Sequence, residues 1–338
     1  MTSATRESTP ARTRDRRLDV ARGILISLVV FGHLLERSGG WTQDGTRLLL
    51  TVLYLFHMPA FVFLTGMTMK SDQILRRVGR LLSLLVVFEV LFTLLDAALG
   101  TALTPWYMPW WILWYVAAMV WWQLLIPFVR RFPRSAVVLA CVIALAVGLI
   151  DIPGNVLAYS RAAFFLPFLV IGNLWGARIL ETLQHRMIVA RAGVLLLFVV
   201  LAASIYALNL QPHWFFGNWG YGQLDVDPVT GMLVRAGLGI VAGIGVVAFL
   251  LWIPPRAAWI ERPGRHSLAV FIFHAACVLV FAEFVGGAVT AWPLVPRLLL
   301  DAGLTVIVVA FFSLDVFERI VRWVAGIPER VVSVVRRG

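Results

Sequence analysis

Charge is scarce in this chain of 338 residues: 14% are Asp, Glu, Lys or Arg, against 60% hydrophobic. A soluble domain is about 25% charged and about 45–50% apolar, so the composition lies outside that class on both counts. It excludes a disordered chain and a coiled coil, and one soluble core of this size could not enclose so much apolar surface. Cysteine is nearly absent. The two present, Cys141 and Cys277, lie in apolar runs with no partner at metal or redox spacing, which excludes a disulfide-stapled module. The strings HExxH, GxxxxGK and GxSxG are missing, so metal hydrolases, P-loop enzymes and nucleophile-elbow hydrolases are excluded too. With a mean hydropathy of +0.87, the class left is an all-α polytopic integral membrane protein.

Apolar stretches able to cross a bilayer of about 30 Å fall near 18–37, 48–69, 78–100, 109–128, 136–150, 162–180, 187–208, 232–253, 266–284 and 298–318. Ten spans put both termini on one side. The net charge of +11 is distributed accordingly: 24 of the 29 Lys and Arg fall on the N-terminal side, leaving Arg37, Arg47, Arg161, Arg235 and Arg297 on the other. Positive charge stays inside, so both termini are expected in the cytoplasm, and the short basic clusters orient helices in the plasma membrane rather than bind nucleic acid. The first run has no small-residue cleavage site behind it and reads as a permanent span. Residues 1–16 read as a disordered cytoplasmic tail, 17–320 as the transmembrane domain and 321–338 as a basic cytoplasmic tail.

An ionisable side chain inside a span costs several kcal/mol unless it is paired or lines a cavity, so each is a functional candidate. The first helix carries Asp19, Arg22, His33 and Glu36. Arg22 and His33 are eleven residues apart, about 20° from whole turns, and so share a face with roughly 16 Å between them. Asp19 and Glu36 extend that stripe by one turn at each end. A polar stripe running inward resembles one wall of a tunnel; the structural alternative is an Asp19–Arg22 cap with His33 as an interhelical partner. His57 lies beside Pro59, which frees a backbone carbonyl, and Glu89 and His274 are also within spans. His185 and His266 read as solvated loop residues. The 209–231 connection mixes Gln211, His213, Trp214, Trp219, Tyr221, Asp225 and Asp227. That composition suits carbohydrate, and equally an interfacial aromatic belt. The string from Gly237 through Gly239 to Ala242 lacks a strand–turn–helix context and reads as close helix packing.

Several of these segments resemble the membrane acyltransferase-3 family, in particular its fucose 4-O-acetylase-like branch. Leu18-Asp19-Val20-Ala21-Arg22-Gly23 followed by His33 is similar to the family's opening pattern, an Arg and a His separated by ten residues. The run from Phe56-His57-Met58-Pro59 to Thr65-Gly66 resembles its second-helix motif, with Thr65 where Ser is usual, and Arg77-Val78-Gly79-Arg80 its Arg-x-x-Arg loop. Trp111 through Trp114-Tyr115, Phe165-Leu166-Pro167-Phe168 through Gly172, and Gly264-Arg265-His266-Ser267 through His274 are similar to later segments, in the family's order.

The resemblance implies transfer of an acyl group, most often acetyl, from cytoplasmic acyl-CoA to a hydroxyl on a sugar or glycoconjugate, with no metal. Arg22, Arg77 and Arg80 would hold the phosphates of acetyl-CoA by charge-assisted hydrogen bonds. His33 would be the general base. Asp19 would orient Arg22, Glu36 would tune His33 or meet the acceptor, and His57, Trp114, Tyr115, Ser267 and His274 would wall the substrate site. A glycan or lipid transporter, and a family member acting on a small natural product inside the cell, are the alternatives.

Overall fold

The computed structural model describes residues 16–335. The expected disordered tail therefore lies, apart from Arg16, outside the described residues. The chain is helical with no strand among the described residues. In order the helices are α1 (Arg16–Ser38), α2 (Asp44–Thr68), α3 (Ile74–Leu99), α4 (Trp114–Arg131), α5 (Pro133–Ala146), α6 (Tyr159–Phe164), α7 (Leu166–Gln184) and α8 (Ile188–Ala207). They continue with α9 (His213–Phe216), α10 (Pro228–Trp252), α11 (Ala258–Arg265), α12 (Ser267–Phe281), α13 (Gly287–Val289), α14 (Leu294–Phe312), α15 (Asp315–Ala325) and α16 (Ile327–Val335).

Among the described residues, seven helices are long and apolar enough to cross a membrane, counting Ser267–Val289 as one, and an eighth is made if the pair bent by 56° between Phe164 and Leu166 is a single span. The expected spans near 109–128 and 136–150 do not reach that length and hydropathy. The α4 helix carries Gln123, Pro127, Arg130 and Arg131, which dilute its apolar content. The α5 helix has 14 residues, about 21 Å at 1.5 Å each, too short for a core of about 30 Å. Residues 321–335, expected as a tail, are helical and continue from α15 into α16.

Two crossings are set by glycines facing backbone. A Cβ on Gly66 of α2 would strike the Leu169 carbonyl of α7, and one on Gly172 would strike the Phe63 carbonyl in return. Gly23 of α1 faces the Ile260 carbonyl of α11, and Gly264 faces that of Asp19. Small residues let helices approach closely where lipid supplies no hydrophobic drive between them.

Polar contacts define two faces of the bundle. At one face the start of α1 meets the end of α2, where the Arg22 guanidinium donates to Thr68 Oγ1 at 2.8 Å. The start of α3 lies there too, with Arg76 and Arg80 both donating to Glu329 of α16, at 2.7 and 2.6 Å. The beginning and end of the described chain thus share one face. At the opposite face lie the end of α1, the start of α2, the 105–113 segment, α6 and the 208–227 connection. Glu89 has a structural task there: its carboxylate accepts from the Trp110 backbone N–H at 2.9 Å, while Asp96 accepts from Trp110 Nε1 at 2.7 Å. His266 is not solvated as expected, since Nδ1 lies 2.6 Å from the Ser313 carbonyl at the end of α14.

Candidate active site

A cavity of about 400 Å³ opens between α1, α2, α6, α9 and the Trp110–Trp114 segment. His33, Glu36, Arg37, Trp41, Tyr54, His57, Trp111, Trp114, Arg161, His213, Phe215, Phe216 and Asn218 are among its lining residues. It lies toward the face opposite the chain ends, because His33 is only five residues from the end of α1.

Within it, His33 Nδ1 is 3.3 Å from Glu36 Oε2, one turn further along the same helix. The second carboxylate oxygen accepts from Trp41 Nε1 at 2.9 Å, and Tyr54 Oη lies 3.5 Å from His33 Nδ1. A carboxylate at Nδ1 selects the tautomer with the proton on that nitrogen and leaves the lone pair on Nε2. The ring is held by Trp111, edge-on at 4.6 Å between centroids, and by His274, stacked at 5.6 Å. His57 is fixed similarly, Nδ1 donating to the Leu53 carbonyl at 2.7 Å. His274 donates from Nδ1 to the Val270 carbonyl, and its Nε2 is buried without a partner.

Positive charge faces the same space. The Arg161 guanidinium lies 4.9 Å from the Trp114 ring centroid and that of Arg37 lies 5.1 Å from Trp111. Arg161 Nε is buried and unpartnered. On the outer connection His213 stacks on Trp219 at 3.4 Å and pairs through Nδ1 with Asn218 Oδ1 at 3.1 Å. Burial pushes the His213 imidazole below its usual value, favouring the neutral ring.

Of the residues singled out in the sequence, His33, Glu36, His57 and Trp114 line this cavity, and His274 packs directly behind His33. Asp19 is buried near the start of α1, and Ser267 begins α12 at the same face. Arg77 pairs with Asp72 at 3.2 Å and Arg80 with Glu329, both at the surface of the Arg22 face. Between Arg22 and His33 the stripe is apolar: Ile26 and Val30 are buried along α1, and Val29 lines the cavity. Beyond Thr68, Thr65 Oγ1 and Tyr115 Oη meet at 2.5 Å, and the Tyr115 ring packs 5.4 Å from Phe271, which lines the cavity floor. Tyr115 and Phe271 therefore pack between the Arg22 end and the His33 cavity.

Sequence reasoning passed over Tyr54, Trp41, Arg37 and Arg161 as site residues. For the two arginines a signal was present: both belong to the small set of basic residues expected on the sparsely charged side.

The description of one protein family, an acyltransferase domain, fits residues 15–314. A 76-residue stretch is 42% identical to the nodulation protein NolL of Mesorhizobium japonicum, which is 21% of this chain and 20% of that protein. The shared stretch is thus a fifth of each molecule, far short of either whole chain. No solved structure matches. The family match covers the helices that build the cavity and the two ends of the His33 stripe alike, and the chain belongs to the acyltransferase-3 family.

Proposed function

We propose that the protein moves an acetyl group from cytoplasmic acetyl-CoA to a hydroxyl of a sugar or glycoconjugate at the opposite face of the plasma membrane. The observation that carries this reading is the His33–Glu36 pair opening onto a cavity at the face remote from Arg22.

The charge asymmetry of the sequence assigns the Arg22 face to the cytoplasm. Arg22, Arg77 and Arg80 receive the phosphates and adenine-bearing end of the donor at that face, where Asp19 and Ser267 also lie. The pantetheine arm then reaches toward His33, which requires Tyr115 and Phe271 to part. Trp41, Phe215, Phe216 and the His213–Trp219 stack offer rings for a sugar face, with Asn218 for its hydroxyls.

In the reaction the acceptor oxygen attacks the thioester carbonyl while His33 Nε2 takes its proton, and Glu36 stabilises the imidazolium that results. A positioned base contributes about 10²–10⁴-fold. The tetrahedral oxyanion develops beside Arg161, whose guanidinium has no carboxylate partner in the cavity, and such preorganised charge is most effective in a water-poor site. Collapse breaks the carbon–sulfur bond, and the CoA thiolate leaves with the proton held by His33.

The test uses membranes containing the full chain, supplied with acetyl-CoA and an extract of the producing cell's glycans. Thiol release together with a gain of one acetyl mass on a glycan, both lost in His33→Ala, is the expected result. Glycan movement across the membrane without thiol release would replace this reading with transport.

A further inference from the structure

A second cavity, about 370 Å³, lies behind the first between α2, α5, α7 and α10, and shares Tyr54, Phe165 and Phe215 with it as a common wall. Its lining residues are apolar or aromatic apart from Arg235 and Cys141. It is open sideways. Ile240 of α10, 66% exposed, and Cys141 of α5, also exposed, form its two lips on the outside of the bundle.

Two features argue against unused space. The first is Arg235, which is 2% exposed. Its Nη2 donates to the Trp219 carbonyl at 2.9 Å and its guanidinium sits against the Tyr221 and Phe164 rings. Anchoring that loop uses one nitrogen, whereas Nε and Nη1 are buried with no hydrogen-bond partner among the described residues. An unpaired guanidinium at membrane depth is costly and marks a ligand site. The second is the glycine run of α10. The sequence reads it as helix packing, but a Cβ on Gly239 or Gly243 meets nothing within 4 Å. These glycines widen the groove instead of admitting a neighbouring helix. Arg235 to Gly243 covers eight residues, about 12 Å along the helix, with the charge nearer the outer face and the glycines deeper.

We propose that this groove binds one hydrocarbon chain of an anionic phospholipid from the surrounding bilayer, its phosphate pairing with Arg235. The chain runs inward past Gly239 and Gly243, and the second chain stays in the bilayer outside the lips. The direction from charge to apolar floor matches that of an outer-leaflet lipid. Charge-assisted contacts between guanidinium and phosphate are strong where water is excluded, and a phosphate with no cation tethered beside it competes best for Arg235. The proposal does not depend on the acyl-transfer reading.

The test is native mass spectrometry of the full chain in detergent, titrated with phosphatidylglycerol and phosphatidylcholine of identical chains. The wild type is expected to retain phosphatidylglycerol about tenfold more tightly than phosphatidylcholine. Arg235→Gln should bring the two to equal retention, and Arg235→Lys should keep a preference for the anionic lipid. Gly243→Leu, which fills the groove without meeting backbone, should lower retention of both lipids about tenfold. Should Arg235→Gln fail to fold, the Lys and Leu variants decide. Equal retention of the two lipids by the wild type, or unchanged adducts in Gly243→Leu, overturns the proposal.

Discussion

Glu36 stands one helical turn beyond His33 and meets its Nδ1 at 3.3 Å, so that an imidazole and a carboxylate in contact with it lie on a single face of α1. Trp41 Nε1 fixes the other carboxylate oxygen. In the proposed reaction, loss of His33 removes the base. His33→Ala should lower turnover by about 10²–10⁴-fold with unchanged membrane insertion, read by thiol release from acetyl-CoA on quantified protein. Near-normal turnover would end the general-base assignment.

Glu36→Gln keeps the shape and the hydrogen bond to Trp41 but removes the charge that stabilises an imidazolium at His33. Turnover should fall by about 10²-fold or more while the KM for acetyl-CoA stays near the wild-type value, because the carboxylate is remote from the Arg22 face. A variant that changed KM alone would place Glu36 in binding.

The His33–Glu36 pair was legible because helical periodicity alone puts i and i+3 together, and the two ends of the α1 stripe followed from the same arithmetic. His57, Trp114 and His213 were also singled out, but their meeting with the pair in one cavity was not legible. Tyr54, Arg161 and His213 come from α2, α6 and α9, which meet only in the tertiary fold, and no spacing along the chain encodes that meeting. The rotation between Arg22 and His33 was readable, but the rings that fill the gap, Tyr115 and Phe271, belong to other helices. The α10 glycines show a further limit: small residues leave the same trace in a sequence whether they admit a neighbouring helix or leave a groove open. At Gly66 and Gly264 the helix is admitted, and at Gly239 and Gly243 it is not.

Arg161 lines the cavity together with His33, and the proposed reaction gives its guanidinium the developing oxyanion. Arg161→Gln should lower turnover by about 10²–10³-fold, the range found on removing one oxyanion donor, with a smaller effect on donor KM. Arg161→Lys should recover part of the loss, since it restores charge without the planar fork. Equal loss in both variants, accompanied by a lower melting temperature, would assign Arg161 to packing against Trp114.

Gly264 should tolerate no side chain. Its Cβ would run into the Asp19 carbonyl, a backbone atom that cannot rotate away, so Gly264→Ala must displace α11 from α1. Overpacking of this kind costs about 1–3 kcal/mol, and the melting temperature of the detergent-solubilised protein should drop accordingly. Gly243→Ala, where nothing lies within 4 Å, is the matched control and should melt as the wild type does.

Arg80 is expected at the donor's phosphates, yet in the structure it is held by Glu329, which also takes Arg76. The hydrogen bonds from Arg80 and then Arg76 hold the Glu329 carboxyl below its ordinary value. A lowered carboxylate favours the docked α16 above its unfolded value, and that contribution is lost as pH falls through the lowered one. It is modest, because the pair is solvent-exposed and screened. Glu329→Gln therefore releases two guanidinium groups at the Arg22 face with little cost to the fold. CoA should bind this variant more tightly than the wild type, whereas Arg22→Ala should bind it more weakly, both measured as the CoA-induced shift in melting temperature. Salt should erase the gain in Glu329→Gln first, since freed surface arginines attract phosphate through screened charge. Unchanged CoA shifts in both variants would remove Arg22 and Arg80 from the donor site and place the phosphates elsewhere on that face.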